Sequence, residues 1–463
     1  MNCRSFFLAC VFVLSTHAPA ADWKAAAAKV LITPQQPMWM GGYSSRKAPG
    51  EGKTTEIYAK VLVLQDKAEN RQVTITFDLI GVPRTFRLEL AKSVEDRFAI
   101  RPDQLFLNAS HTHSGPMIRL IPPFRPGQKS RASFMNVPDD EEEKYVKLVE
   151  DYLSSLQRRL LDTIGDSISR LEPADLRYSK GRAGFAMNRR LATADRVINA
   201  ANPNGPVDHE VPVLQVRSAK KKLLAILFGY ACHNTTVSYM TFSGDYAGWA
   251  QQYLEADNPE TVAMFVMGCG GDQNPYPRRN PVWASRHGRA LANAVEAGLI
   301  ANPTTVDAVL KSDLNYIDLK YATPPTRKQL EERAKSKDKY ERRHGEMLLE
   351  YLDTTGALPT TYSYPVQVIK LGSQITLVTL GGETVIDYSL RLKRELKGSA
   401  VWVAGYSNDL VGYVPSERVL REGGYEGGRA MRYVRAIPHT GPWAPGIEEN
   451  IISTVHRLND SLR

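Results

Sequence analysis

Leu105-Phe106-Leu107-Asn108-Ala109-Ser110-His111-Thr112-His113-Ser114-Gly115-Pro116 reads as an apolar strand that opens into a polar, glycine-proline turn. Side chains alternate along a strand, so strand spacing sets His111 and His113 on one side. Two imidazoles at the carboxyl end of a strand make a metal pair or an acid–base pair. A pair of hydrogen-bonded structural histidines leaves the same pattern. The chain has nine histidines, so two of them in one turn is a concentration that calls for a reason.

The same arrangement recurs outward from this turn. Apolar runs at 57–64, 73–78, 104–107, 223–230, 262–267, 366–371, 374–380 and 401–404 are predicted strands, several of them continuous enough to be buried on both faces. Helical patterns at 85–97, 141–171, 248–256, 284–300, 325–352 and 386–396 alternate with them. The expectation is an α/β fold: a large layered domain with a mixed central β-sheet, flanking helices and a metal site at strand ends.

Four further loops follow apolar strands. Tyr230-Ala231-Cys232-His233-Asn234-Thr235 places a histidine at a strand end, with Ser243-Gly244-Asp245 downstream. Met267-Gly268-Cys269-Gly270-Gly271-Asp272-Gln273-Asn274-Pro275 is a glycine-rich loop with one carboxylate, where the backbone can approach a ligand closely. Its spacing matches neither the Walker nor the dinucleotide fingerprint. Leu380-Gly381-Gly382-Glu383 sets a carboxylate between a strand and a helix, as a metal ligand or as a helix-terminus charge. Gly405-Tyr406-Ser407-Asn408-Asp409 continues to Gly412-Tyr413-Val414-Pro415. If these strands are neighbours in one sheet, their ends converge. His111, His233 and Glu383 then suit a catalytic zinc with a position left for water.

Composition bounds the rest. The chain has 463 residues, 43% of them hydrophobic, enough for a large core. The formal net charge of +9 favours anionic surfaces or substrates, but the basic residues are dispersed and no nucleic-acid-binding module is present. Arg4, the apolar run 6–14 and Ala18-Pro19-Ala20 read as a secretory signal over residues 1–20, or else a buried amino-terminal helix. Cys10 after Leu8-Ala9 hints at a lipoprotein signal, although the apolar run is short for one. The expected location is secreted or periplasmic, with residues 21–463 forming a single catalytic domain. No apolar run reaches transmembrane length, which leaves peripheral membrane contact open. Cys232 and Cys269 form a disulfide or remain two buried thiols. The run Asp139-Asp140-Glu141-Glu142-Glu143 reads as a solvated helix start.

Taken in order, these motifs resemble the neutral/alkaline ceramidase family. The resemblance rests on His111-Thr112-His113-Ser114-Gly115-Pro116, on His233 before Asn234 and Thr235 with Ser243-Gly244-Asp245, on Gly271-Asp272 with Pro275, on Gly382-Glu383-Thr384, and on Gly412-Tyr413-Val414-Pro415. Ile32-Thr33-Pro34, Met40-Gly41-Gly42-Tyr43 and Phe77-Asp78-Leu79-Ile80-Gly81 are similar to its amino-terminal region, so the likeness runs from about Val30 to the end. It implies a zinc ion held by His111, His233, Glu383 and Tyr413, an N-acyl (amide) substrate that is a small molecule or lipid-like, and His113 beside the reaction. Asp272 and Asp245 are expected to fix histidine tautomers.

Two features depart from that family. Asn274 stands where its loop carries a serine; an amide cannot act as an alkoxide nucleophile, but it can donate a hydrogen bond to substrate or to a developing oxyanion. The family's carboxyl-terminal β-sandwich has no counterpart before Arg463. Two other readings keep the scaffold: a metal-dependent hydrolase or lyase acting on a polar glycan or N-acyl sugar, and a non-catalytic binding protein.

Overall fold

The computed structural model describes residues 22–133 and 136–463; the leader reading for residues 1–20 falls outside them. The chain builds a large mixed sheet of nine strands: β1 (Trp23–Leu31), β2 (Tyr58–Gln65), β3 (Arg71–Phe77), β4 (Leu105–Ala109), β5 (Glu172–Arg182), β6 (Glu210–Ser218), β7 (Leu223–Tyr230), β8 (Val262–Met267) and β9 (Thr304–Val306). Their order is β8-β7-β6-β5-β1-β2-β3-β4, with β9 pairing β5. The β3–β4 and β7–β8 pairs are parallel and the other pairs antiparallel. A second sheet runs β10 (Leu310–Lys320), β11 (Thr361–Leu371), β12 (Ile375–Leu380) and β13 (Ala400–Ala404).

The continuous apolar runs are explained by burial on both sheet faces. In β2, Val61 and Val63 enter a core with helices Arg84–Phe98 and Glu142–Ser169, through Leu90, Val94, Leu160 and Ile164. Leu62 and Leu64 enter a different core, which the large sheet shares with Ile369, Leu377 and Trp402 of the second sheet. In β7 and β8, Ile226, Phe228 and Phe265 pack under helices Asp245–Asp257 and Pro281–Ile300, while Leu227 and Val266 face the second sheet. The far face of the second sheet is covered by helices Ile386–Glu395 and Ile447–Ser461, through Leu392, Ile451 and Val455. The layers therefore run helix, sheet, sheet, helix.

Two expectations are corrected. The site-bearing strands belong to two sheets rather than one, since β12 and β13 lie in the second sheet. The single helix expected at 325–352 is two, Arg327–Arg333 and Lys339–Thr355. Thr326 caps the first through the backbone N–H of Gln329, and Asp338 starts the second by accepting from the N–H groups of Tyr340 and Glu341. Cys232 and Cys269 are buried free thiols. Among the described residues no helix is long and apolar enough to cross a membrane.

Candidate metal centre

β4 and β8 stand at opposite ends of the large sheet, yet the sheet curls until the two meet. The carboxamide of Asn108 joins them: its Oδ1 accepts from the Met267 N–H at 2.7 Å and its Nδ2 donates to the Met267 carbonyl at 3.3 Å. The same Nδ2 reaches the Gly405 carbonyl at 2.8 Å, and Gly268 forms an antiparallel bridge with Ala404. One buried amide thus brings the ends of β4, β8 and β13 together, and the loops beyond them share one space.

The strand stops at Ala109, and His111 has a left-handed backbone with φ of 61°. The pairing of His111 with His113 is therefore made by a turn and not by strand alternation, which corrects the sequence reading. A left-handed non-glycine residue is strained and persists only where its surroundings fix it. Here Ser110 N–H donates to the Phe77 carbonyl at 2.8 Å and Thr112 Oγ1 to the Ser243 carbonyl at 2.7 Å.

Ring Nδ1 of His111 lies 2.7 Å from the Ile80 carbonyl, and Nδ1 of His233 lies 2.6 Å from the Gly270 carbonyl. A carbonyl only accepts, so each Nδ1 carries the proton and each Nε2 keeps its lone pair. Both Nε2 atoms then face one carboxylate oxygen: Glu383 Oε2 is 3.3 Å from His111 Nε2 and 3.4 Å from His233 Nε2. Tyr413 Oη lies 3.3 Å from His233 Nε2. Glu383 and Tyr413 sit side by side in a parallel bridge, closed by Glu383 N–H donating to the Gly412 carbonyl at 2.8 Å.

Burial and the Arg189 charge push His233 down to about 3, so its imidazole is neutral and in ligand form. Glu383 is buried, with Oε2 turned towards both Nε2 atoms. Neutral imidazole nitrogens and a carboxylate oxygen are mutual acceptors, and Glu383 Oε2 has no hydrogen-bond donor. A cation between them removes that conflict, so the residues fit a divalent metal such as zinc.

His113 Nε2 lies 3.1 Å from His111 Nε2, and His111, His113 and His233 offer ring nitrogens within 4.8 Å of one another, close enough to hold a metal. His113 packs edge-on against Tyr43 at 4.8 Å between ring centroids, and Arg46 Nη2 donates to its carbonyl at 2.7 Å. Burial and the neighbouring histidines hold it well below the usual imidazole range. His111, His113, Glu383 and Tyr413 all line one cavity of about 130 Å3.

The remaining expected residues are placed differently. Asp272 accepts from Asn188 Nδ2, Gln273 Nε2 and the Ile386 N–H at 2.9, 3.0 and 2.9 Å, and burial pushes it up to about 6. Asp245 accepts from the backbone N–H groups of Val237 and Tyr246. Histidine tautomers are fixed by the carbonyls of Ile80 and Gly270 rather than by these carboxylates, because the loops bring backbone to each Nδ1 first. Asn274 is buried behind Tyr413 and is not among the residues lining the cavity. Its Oδ1 lies 3.4 Å from Arg189 Nη1 and 3.3 Å from Thr235 Oγ1, while its Nδ2 has no partner.

Sequence reasoning passed over Arg189. Its Nη2 donates to Tyr413 Oη at 2.8 Å and its Nε pairs with Glu426 at 2.8 Å. It sits on strand Ala186–Ala192, whose Asn188-Arg189-Arg190 run has no apolar signal. Tyr406 packs against His111 with the rings tilted and their centroids 4.5 Å apart.

No protein-family model matches the sequence. Among solved structures, the chain is similar to the neutral ceramidase from Pseudomonas aeruginosa, with a TM-score of 0.69 and 19% identity over 95% of this chain and 75% of that one. It is also similar to a ceramidase complexed with C2, with a TM-score of 0.67 and 16% identity over 95% of this chain and 76% of that one. These likenesses establish a ceramidase-like fold.

Proposed function

We propose that this chain is a secreted, zinc-dependent hydrolase of the neutral ceramidase type that cleaves an N-acyl (amide) bond. The observation that carries the reading is the facing set of acceptors: two imidazole Nε2 atoms, fixed by carbonyls at Nδ1, around a carboxylate oxygen with no donor. His111, His233, Glu383 and Tyr413 are the residues to hold the metal. A zinc ion there supplies Lewis-acid chemistry and lowers the pKa of water from 15.7 towards about 7.

The chain's own residues supply the rest. His113, neutral by burial, lines the cavity, where a ring N–H would donate to a developing oxyanion. Arg189 fixes the Tyr413 hydroxyl, and Asn274 braces Arg189 from behind. Asp272 acts at a distance, by tying the 268–275 loop to the start of helix Ile386–Glu395. The likeness to neutral ceramidases supports an N-acyl substrate that is a small molecule or lipid-like.

The test is metal analysis of the purified protein, followed by assay against N-acylated lipids, amino acids and sugars, with a chelator control. Metal-dependent release of a fatty acid supports the reading, and an unsaturated sugar product would replace it with a lyase. His111→Ala should lose both bound zinc and turnover. Full activity in the metal-free variant would overturn the proposal. Export belongs to the same reading, and the mature chain is expected to begin at Ala21 on amino-terminal sequencing.

A further inference from the structure

The cavity over the metal centre has a guanidinium on its wall. Arg119 lines this cavity and also the wall of an adjoining one of about 500 Å3, whose other side is built from Phe86, Pro122 and Ile437. Leu410 borders both, so Arg119 stands where the two spaces meet. Among the described residues its guanidinium makes one hydrogen bond, from Nη1 to the Leu410 carbonyl at 3.2 Å, and its Nε has no partner.

A sequestered cation needs a counter-charge. The carboxylates whose field reaches Arg119 are Glu383 and Asp409. Both are committed elsewhere. Glu383 faces His111 and His233. Asp409 accepts from Arg84 Nε at 2.9 Å, Arg84 Nη2 at 2.5 Å and the Tyr362 hydroxyl at 2.7 Å. Glu89 and Glu150 also line the adjoining cavity, but neither is among the carboxylates whose field reaches Arg119. The guanidinium thus keeps donors free for an anion.

We propose that Arg119 receives an anionic group of the substrate, so that the preferred substrate is an N-acyl compound carrying a carboxylate or phosphate close to the scissile bond. This rests on the N-acyl hydrolase reading and narrows it. The planar guanidinium matches a carboxylate or phosphate by paired hydrogen bonds. The apolar walls of the adjoining cavity lie on the other side of Arg119 from the metal centre's cavity, next to where that group would sit.

Binding and turnover are measured separately on the zinc-loaded protein. For binding, the probe is the keto-methylene isostere of an N-acylglycine, in which a methylene replaces the amide N–H, compared with its methyl ester by calorimetry. The anionic probe is expected to bind roughly ten- to hundred-fold more tightly. Arg119→Met should bring the two affinities together, and Arg119→Lys should keep part of the difference. A matching phosphonate decides between the two oxyanions by which binds tighter. Equal affinity of acid and ester in the unaltered protein overturns the proposal, whether or not the variants fold. So does an undiminished preference in Arg119→Met. For turnover, the N-acylglycine is compared with its methyl ester. A binding preference without turnover of any N-acyl compound overturns the hydrolase reading and leaves the anion site standing.

Discussion

His111 Nε2 and Glu383 Oε2 face each other at 3.3 Å, and both are acceptors because the Ile80 carbonyl holds the His111 proton on Nδ1. Without a cation this contact is unfavourable. Zinc should therefore stabilise the fold as well as support turnover. At a free zinc concentration a hundred times Kd the gain is about 2.7 kcal/mol. Thermal melts with zinc and with chelator should differ by several degrees, and His111→Ala should remove the difference. Identical melts for the unaltered protein under both conditions would contradict the assignment.

Asn108 closes the curl of the large sheet through Met267 and Gly405. Asn108→Ala leaves the Met267 N–H and the Gly405 carbonyl buried without that partner. The expected loss is roughly 2–4 kcal/mol in urea unfolding. Metal affinity should fall with it, because the loops bearing His111 and Tyr406 start from this joint. A variant with unchanged stability and zinc binding would show that the edges meet without the bridge.

Gly42 has φ of 93°, and a Cβ there would lie 2.3 Å from the His113 ring. Gly42→Ala must move that imidazole. Because His113 is assigned to the reaction and not to the metal, kcat should fall at least tenfold while zinc content stays at one per chain, an estimate from the usual size of general acid–base effects, about 10²–10⁴-fold. Loss of zinc together with kcat would instead make His113 a ligand.

Acid should unfold the protein through a histidine pair away from the centre. Burial pushes His439 down to about 3 and His344 to about 4. His439 Nε2 donates to the Val411 carbonyl and its Nδ1 accepts from the Tyr321 hydroxyl, while His344 Nε2 donates to the His439 carbonyl. Both folded-state values lie below the unfolded value of about 6.5. Their contribution is complete above that pH and is lost as pH falls towards 4 and then 3, at up to about 1.4 kcal/mol per unit for each ring. His344→Gln, which keeps a donor for the His439 carbonyl, should flatten the slope of urea stability between pH 6.5 and 4. Equal slopes would exclude His344 as a contributor.

The sequence by itself determined the layered α/β class and most of the elements around the site, because strands buried on both faces must be apolar along their whole length. The strands at 223–230 and 262–267 are found with those bounds. It passed over β1, whose Ala25-Ala26-Ala27-Ala28 run lacks the branched side chains that mark a strand, and β10, whose side chains are mostly polar or partly exposed. It also picked out His111, His233, Glu383 and Tyr413; in the fold each lies within 3.4 Å of another member of the set. What only the tertiary structure decided is how they come together. Local pattern cannot reveal that a carboxamide joins opposite edges of a sheet, nor that a left-handed turn rather than a strand aims His111. Those outcomes depend on partners far away in sequence, such as Met267 for Asn108 and Ile80 for His111. For the same reason local pattern does not show that Asp272 and Asn274 lie outside the cavity lining, that Arg119 lines it, or that Arg189 donates to Tyr413.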